Sequence, residues 1–271
     1  MTRAPLELTG LAKIFETPSG PHTAVTDVNA RIAEGEFVAI LGHSGCGKST
    51  VLAMIAGLQR ATRGGVVIDG REVVEPGPER ALVFQAPCLL PWLTARQNVE
   101  LAARQRARSA ARTVRRLTAD HYLALVGVEE SADQMPAALS LGTQQCVSLA
   151  RALSMEPRFL LLDEPFSMLD SLTRFEMQDL LLRVWEQSGQ TLVMVTHDVD
   201  EALYLADRMI LMTDGPAATI GAIVPVPFSR PRSRAVVLGD SRYHALRRRV
   251  IDFLDDHVKQ SRAGSQSAAT A

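Results

Sequence analysis

Gly42-His43-Ser44-Gly45-Cys46-Gly47-Lys48-Ser49 satisfies the pattern G-x-x-x-x-G-K-[ST] at every fixed position. The pattern constrains the fold because it works only between a buried strand and a helix. Glu36-Phe37-Val38-Ala39-Ile40-Leu41 precedes it as an apolar run suited to a buried strand, and Thr50-Val51-Leu52-Ala53-Met54-Ile55-Ala56 follows with helical character. Glycines let such a loop curl so that successive backbone N–H groups point inward at an anion. The helix N-terminus adds its partial positive charge. Lys48 then reaches the terminal phosphates of a nucleotide, and Ser49 offers its hydroxyl to Mg²⁺. His43 stands inside the loop at a variable position.

The 271 residues suffice for one large domain or two small ones with a sizeable core. Lys and Arg nearly balance Asp and Glu, leaving a formal net charge of −1 that argues against a nucleic-acid partner. The longest apolar runs are strand-sized, short of the roughly 20 residues of a membrane-spanning helix. Met1-Thr2-Arg3-Ala4-Pro5 lacks a signal-peptide apolar core, so a cytosolic chain is expected. Cys46, Cys88 and Cys146 are scattered without metal-ligand spacing and read as reduced thiols.

Short strands are expected at Leu6–Gly10, Val25–Ile32 and Val66–Gly70, forming a small antiparallel sheet beside the main one. Ala81-Leu82-Val83-Phe84, Phe159-Leu160-Leu161-Leu162 and Thr191-Leu192-Val193-Met194-Val195 read as buried strands. Thr94 to Val128 is helical in pattern, and a helix near Ser171 to Gln187 separates two of the strands as in a βαβ unit. The expected fold is thus α/β: a P-loop core with a mainly parallel sheet, a small antiparallel β subdomain and an inserted helical subdomain over about 86–157. Tyr243, Leu246, Val250, Phe253 and Leu254 recur at helical spacing, predicting an amphipathic helix within a C-terminal extension over 228–260. Residues 261–271 are small and polar and are expected to be disordered. Arginines cluster between Arg104 and Arg116; a basic helix there could meet anionic lipid headgroups or nucleic acid, but the near-zero net charge favours a solvated helix face.

Strand C-terminal ends are where open α/β sheets place ligands. Three expected strands end in polar side chains. Asp163 would bind Mg²⁺ directly or through water, and Glu164 could polarise a water for attack on a γ-phosphate. His197 follows the Val195-Thr196 strand end, where a neutral imidazole could hydrogen-bond a γ-phosphate or orient the attacking water. Gln85 ends the Ala81–Phe84 strand and could ligate Mg²⁺ or hold a water through its amide oxygen. The apolar segment Pro87-Cys88-Leu89-Leu90-Pro91-Trp92-Leu93 then reads equally as an exposed contact site or as side chains packed into the helical insertion.

In this order the pieces resemble the ATP-binding subunit of an ABC transporter, over roughly Leu6 to Pro227. Leu139-Ser140-Leu141-Gly142-Thr143-Gln144-Gln145 resembles the signature motif usually written LSGGQ. Leu141 stands where glycine is usual, Thr143 where glutamine is usual, and Cys146 where arginine is common, while Ser140 and Gly142 are kept. Phe159–Asp163 resembles Walker B with Glu164 at the catalytic-base position, Ser167-Met168-Leu169-Asp170 the D-loop, His197 the switch histidine and Gln85 the Q-loop glutamine. The resemblance implies an ATP-binding domain over 1–227. It implies that Phe15 stacks on adenine, that Gly42 to Thr50 cradle ATP, and that Ser49, Gln85 and Asp163 hold Mg²⁺. It further implies that Ser140 and Gly142 close over ATP held by a second copy of the chain. Phe84-Gln85 followed by Leu89-Leu90-Pro91-Trp92 looks most like the nitrate, sulfonate and taurine import subfamily.

On that resemblance the chain would be a peripheral subunit at the cytoplasmic face of the membrane. It would dock a permease through Pro87–Leu93 and work indirectly with a solute-binding protein. A soluble ABC-type ATPase of DNA repair or translation usually carries a duplicated domain or a long coiled-coil insertion, and neither is visible. A degenerate nucleotide-binding regulator conflicts with intact Lys48, Asp163, Glu164 and His197, although Leu141 points toward it.

Overall fold

The computed structural model describes residues 6–106 and 112–268. In chain order the elements are β1 (Leu6–Thr17), β2 (Gly20–Ile32), β3 (Phe37–Leu41), α1 (Lys48–Ile55), β4 (Arg63–Ile68), β5 (Arg71–Glu72) and β6 (Arg80–Val83). They continue with α2 (Ala95–Arg106), α3 (Arg112–Leu125), α4 (Leu141–Leu153), β7 (Phe159–Asp163), α5 (Ser171–Ser188) and β8 (Thr191–Thr196). The chain closes with α6 (Val199–Leu205), β9 (Arg208–Met212), β10 (Ile220–Pro225), α7 (Arg234–Gly239) and α8 (Ser241–Ala268). Two compact units divide it: Met1–Pro76 with Val193–Ala271, and Gly77–Leu192.

The first unit holds two sheets. One is antiparallel, in the order β2-β1-β4-β5. Its β1–β2 hairpin is much longer than the short strands expected at Leu6–Gly10 and Val25–Ile32. Register shifts between Leu8 and Ile14 break the in–out alternation, so the periodicity of the pattern hides the outer half of the hairpin. The other sheet runs β10-β9-β3-β8 in this unit. β3 pairs with β9 in parallel and β10 pairs with β9 antiparallel. Every residue of β3 and β8 is buried, the pattern of strands covered on both faces.

In the second unit β6 and β7 pair in parallel, with Ala81 opposite Leu160 and Val83 opposite Leu162. β6 ends at Val83, one residue before the expected end, and Phe84 is exposed. Helices α2, α3 and α4, which pack on one another, fall where the helical insertion was expected. The unit extends beyond 86–157 to include β6, β7 and α5. α5 is bounded as its sequence dictates: Asp170 caps its start, and Gly189, at φ +63°, ends it in the left-handed conformation.

α8 begins at Ser241 with Tyr243, Val250 and Leu254 buried, as the spacing predicts. It continues to Ala268, eight residues into the stretch expected to be disordered. Residues 269–271, and the part of the Arg104–Arg116 basic stretch at 107–111, lie outside the described residues.

Candidate nucleotide site

In the first unit β3 delivers the chain to a loop whose glycines are required by geometry. Gly45 and Gly47 have φ of +84° and +88°. A Cβ on Gly47 would also collide with the Val25 side chain, and one on Gly42 with Cys46 Sγ. α1 starts at Lys48, directly after this turn, with no acidic residue in its first turn to offset the helix dipole. Lys48 is only 5% exposed. Its Nζ donates to the carbonyls of Gly42 at 2.8 Å and His43 at 2.9 Å. A buried ammonium needs such partners, and neutral carbonyls are weaker ones than phosphate oxygens. Ser44, Gly45 and Ser49 are exposed on the loop and the start of α1, and Thr50 is half-buried. Cys46 is buried beneath it, and burial raises the pKa of its thiol.

His197 follows β8 and is exposed. The turn that carries it is held on both sides. Thr196 Oγ1 donates to Glu201 Oε2 at 2.7 Å and accepts from the Asp198 N–H at 3.0 Å. Asp198 caps α6 by accepting from the N–H groups of Asp200 and Glu201. Phe15 lies half-buried on β1 opposite His22, with Lys13 Nζ 5.1 Å from its ring centroid.

In the second unit Asp163 ends β7, and Glu164 follows with φ +45°. A glutamate in the left-handed region is strained, and strain of this kind collects at functional sites. Ser167 ties this turn to the end of β6. Its Oγ donates to the Glu164 carbonyl at 2.9 Å and accepts from Gln85 Nε2 at 3.1 Å. The sequence suggested Gln85 and Glu164 separately; the serine that joins them shows only in three dimensions.

Ser140 caps α4, accepting from the Thr143 N–H at 3.1 Å. Leu141 is the first helical residue, as expected of a side chain that cannot take positive φ. A Cβ on Gly142 would press on the Thr173 methyl, so glycine here lets α4 approach α5. Cys146 is buried with its Sγ 3.0 Å from Met177 Sδ, and burial pushes its thiol up to about 11.

The Pro87–Leu93 segment is fixed by two residues the sequence reading gave no role. Asn98, fully buried, donates to the carbonyls of Leu90, Leu93 and Thr94 and accepts from the Leu90 N–H. Arg151 donates to the carbonyls of Cys88 at 2.8 Å and Pro87 at 3.1 Å. With the backbone so held, Trp92 stands 67% exposed. Trp92 therefore faces outward, while Leu89, Leu90 and Leu93 are half-buried.

Comparison with known proteins shows the family. The family model described as ABC transporter matches residues 25–167. The chain belongs to the ABC transporter ATP-binding family. It is 49% identical to the nitrate import ATP-binding protein NrtD of Synechococcus elongatus over 90% of this chain and 89% of that one. It is 46% identical to the bicarbonate transport ATP-binding protein CmpD of Synechocystis, over 93% and 90%. Among solved structures, the ATP-binding cassette MJ0796, a dimer in a post-hydrolysis state bound to ADP and Pi, superposes with a TM-score of 0.74. That match covers 83% of this chain and all of that one at 34% identity. This ABC protein is thus an ATPase with the expected α/β fold. No helix among the described residues is long and apolar enough to cross a membrane.

Proposed function

We propose that this chain hydrolyses ATP to drive import of a small inorganic or sulfonated anion, nitrate and bicarbonate first among them, through a separate permease. The observation that carries the reading is that one chain holds both an intact phosphate loop, with Lys48 drawn into its centre, and a capped signature helix starting at Ser140. The similarity to nitrate and bicarbonate transport subunits supports the solute class.

In this reading two copies face each other across two ATP molecules. The N–H groups of 42–50 and Lys48 of one copy hold the phosphates, Phe15 supports the base, and Ser140 with the Gly142 N–H of the other copy closes on the γ-phosphate. Glu164 accepts a proton from a water as its oxygen bonds to the γ-phosphorus. The bond from that phosphorus to the β–γ bridging oxygen breaks, releasing ADP and phosphate. His197 hydrogen-bonds the γ-phosphate, and Gln85 holds the attacking water in place.

Ser49, Asp163 and Gln85 suit Mg²⁺ because each offers an oxygen donor. Mg²⁺ would neutralise charge on the β- and γ-phosphates. Among the described residues no three His, Cys, Asp or Glu side chains gather to hold a metal alone. A cation held mainly by phosphate oxygens and water needs no such cluster.

Closure of the pair would move a permease docked at Pro87–Leu93, placing the chain at the cytoplasmic face of the membrane with a solute-binding protein acting beyond it. The chain is read as an ATP-binding domain over 1–227 with a helical extension after it, and nucleic acid has no part in the cycle. The test is reconstitution with the permease in liposomes. ATP-dependent uptake of nitrate or bicarbonate, abolished by Glu164→Gln, is expected. Uptake that proceeds with the variant, or no ATPase activity at all, would overturn the reading.

A further inference from the structure

The first unit contains a connection that neither the motif nor the helix periodicity foretells. His43 Nε2 lies 3.1 Å from the main-chain carbonyl of Leu254, inside α8. A carbonyl only accepts, so His43 donates from Nε2. A carbonyl has two lone pairs, which lets Leu254 serve the helix ladder and the imidazole together. The main-chain carbonyl of the same His43 accepts from Lys48 Nζ at 2.9 Å. One residue is therefore bound outward to α8 and inward to the lysine at the centre of the phosphate loop.

α8 is itself fastened in two further places. Asp200 Oδ1 on α6 accepts from Tyr243 OH at 2.6 Å and from Arg247 Nε at 2.7 Å. Burial alone would raise the Asp200 carboxyl, but these hydrogen bonds and the Arg247 charge hold it below its ordinary value. Near the middle of the helix the Phe253 ring covers Gly221 of β10 so closely that a Cβ there would overlap it. Asp200 stands three residues after His197, so α8 bears both on the phosphate loop and on the helix that follows the switch histidine.

We infer that α8 is a working part of the ATP site, and that His43 is the positioning residue through which this helix holds the phosphate loop ready for nucleotide. A glycine-rich loop loses more conformational freedom on binding than an ordinary one. Fixing it in advance removes that penalty from the binding step and raises affinity. The inference rests on the reading of 42–50 as the phosphate cradle.

The test is MgATP titration of the full chain in a Glu164→Gln background, where nucleotide is not consumed. Lys48→Ala is the reference for the cradle itself: if it binds normally, the cradle reading fails, independently of α8. His43→Ala should raise the ATP Kd about five- to tenfold, within the usual range of coupling between sites. Its unfolding midpoint without nucleotide should stay at the parental value. His43→Gln, whose amide N–H can replace the Nε2 donor, should return the Kd to within about twofold of the parent. Phe253→Ala, at a residue outside the loop, should also raise the Kd and speed amide exchange at 42–50. Tyr243→Phe removes only one bond to Asp200 and supplies the same readout if Phe253→Ala does not fold. Parental affinity in His43→Ala, equal weakening in His43→Ala and His43→Gln, or unchanged Kd and loop exchange in the helix variants would each overturn the inference.

Discussion

The Ser140 hydroxyl oxygen accepts from the Thr143 N–H at 3.1 Å and lies 2.8 Å from Thr143 Oγ1. Thr143 is thus part of the cap on α4, the helix whose start resembles the signature motif. Ser140→Ala should cost about 1 kcal/mol through the lost cap and should lower the ATPase rate of the assembled transporter by about tenfold or more if the hydroxyl also meets phosphate. Leu141→Gly should cost a similar ~1 kcal/mol of helix stability with only a modest change in rate. Full activity in Ser140→Ala would show that this segment is not a working signature.

Lys48→Ala should abolish thermal stabilisation by ATP. At a hundredfold excess over Kd the parent gains about 2.7 kcal/mol, readable as a shift in melting temperature. Unchanged stabilisation in the variant would remove Lys48 from the site.

Glu164→Gln keeps the size of the side chain and removes its basicity. MgATP binding should persist, turnover should fall by about 10² or more, and an ATP-bound dimer should accumulate on gel filtration. Near-normal turnover would refute the base assignment.

Trp92→Ala should leave the stability of the isolated chain within about 0.5 kcal/mol, because the side chain faces outward. ATP binding should be intact and co-purification with the permease weakened. Arg151→Ala frees the Pro87 and Cys88 carbonyls, so it should weaken docking and also destabilise the chain by about 1–3 kcal/mol. Undiminished assembly in Trp92→Ala would move the docking site elsewhere.

Of the three thiols, Cys88 is exposed and Cys46 and Cys146 are buried. A disulfide reagent should label Cys88 alone in the native chain and all three after unfolding. The Cys146 thiol, raised from 9.0 to about 11 by burial, contributes to alkaline destabilisation. The unfolded chain ionises this thiol first, so its stabilising effect is complete below pH 9 and is lost as pH rises toward 11. Equal labelling of all three thiols in the native chain would contradict the packing described.

The phosphate loop, the Asp163-Glu164 strand end, His197, Gln85 and the α/β class were legible because each is a local pattern: a loop between strand and helix, or a polar residue closing an apolar run. So was the start of α8, from a 3.6-residue apolar period. The long β1–β2 hairpin was legible only at its buried ends, since bulges scramble a two-residue period.

What the tertiary structure alone decided are the links between segments far apart in the chain. Ser167 joins Gln85 to Glu164, and Arg151 reaches Pro87 and Cys88 across more than sixty positions. His43 meets Leu254 across 211. These links end largely on main-chain carbonyls, which every residue carries, so side-chain identity at the accepting end leaves no trace in the sequence. Loop closure and packing choose which carbonyl a buried donor finds. The motif determined which chemical groups stand together in the loop at 42–49, and the fold determined what holds them still.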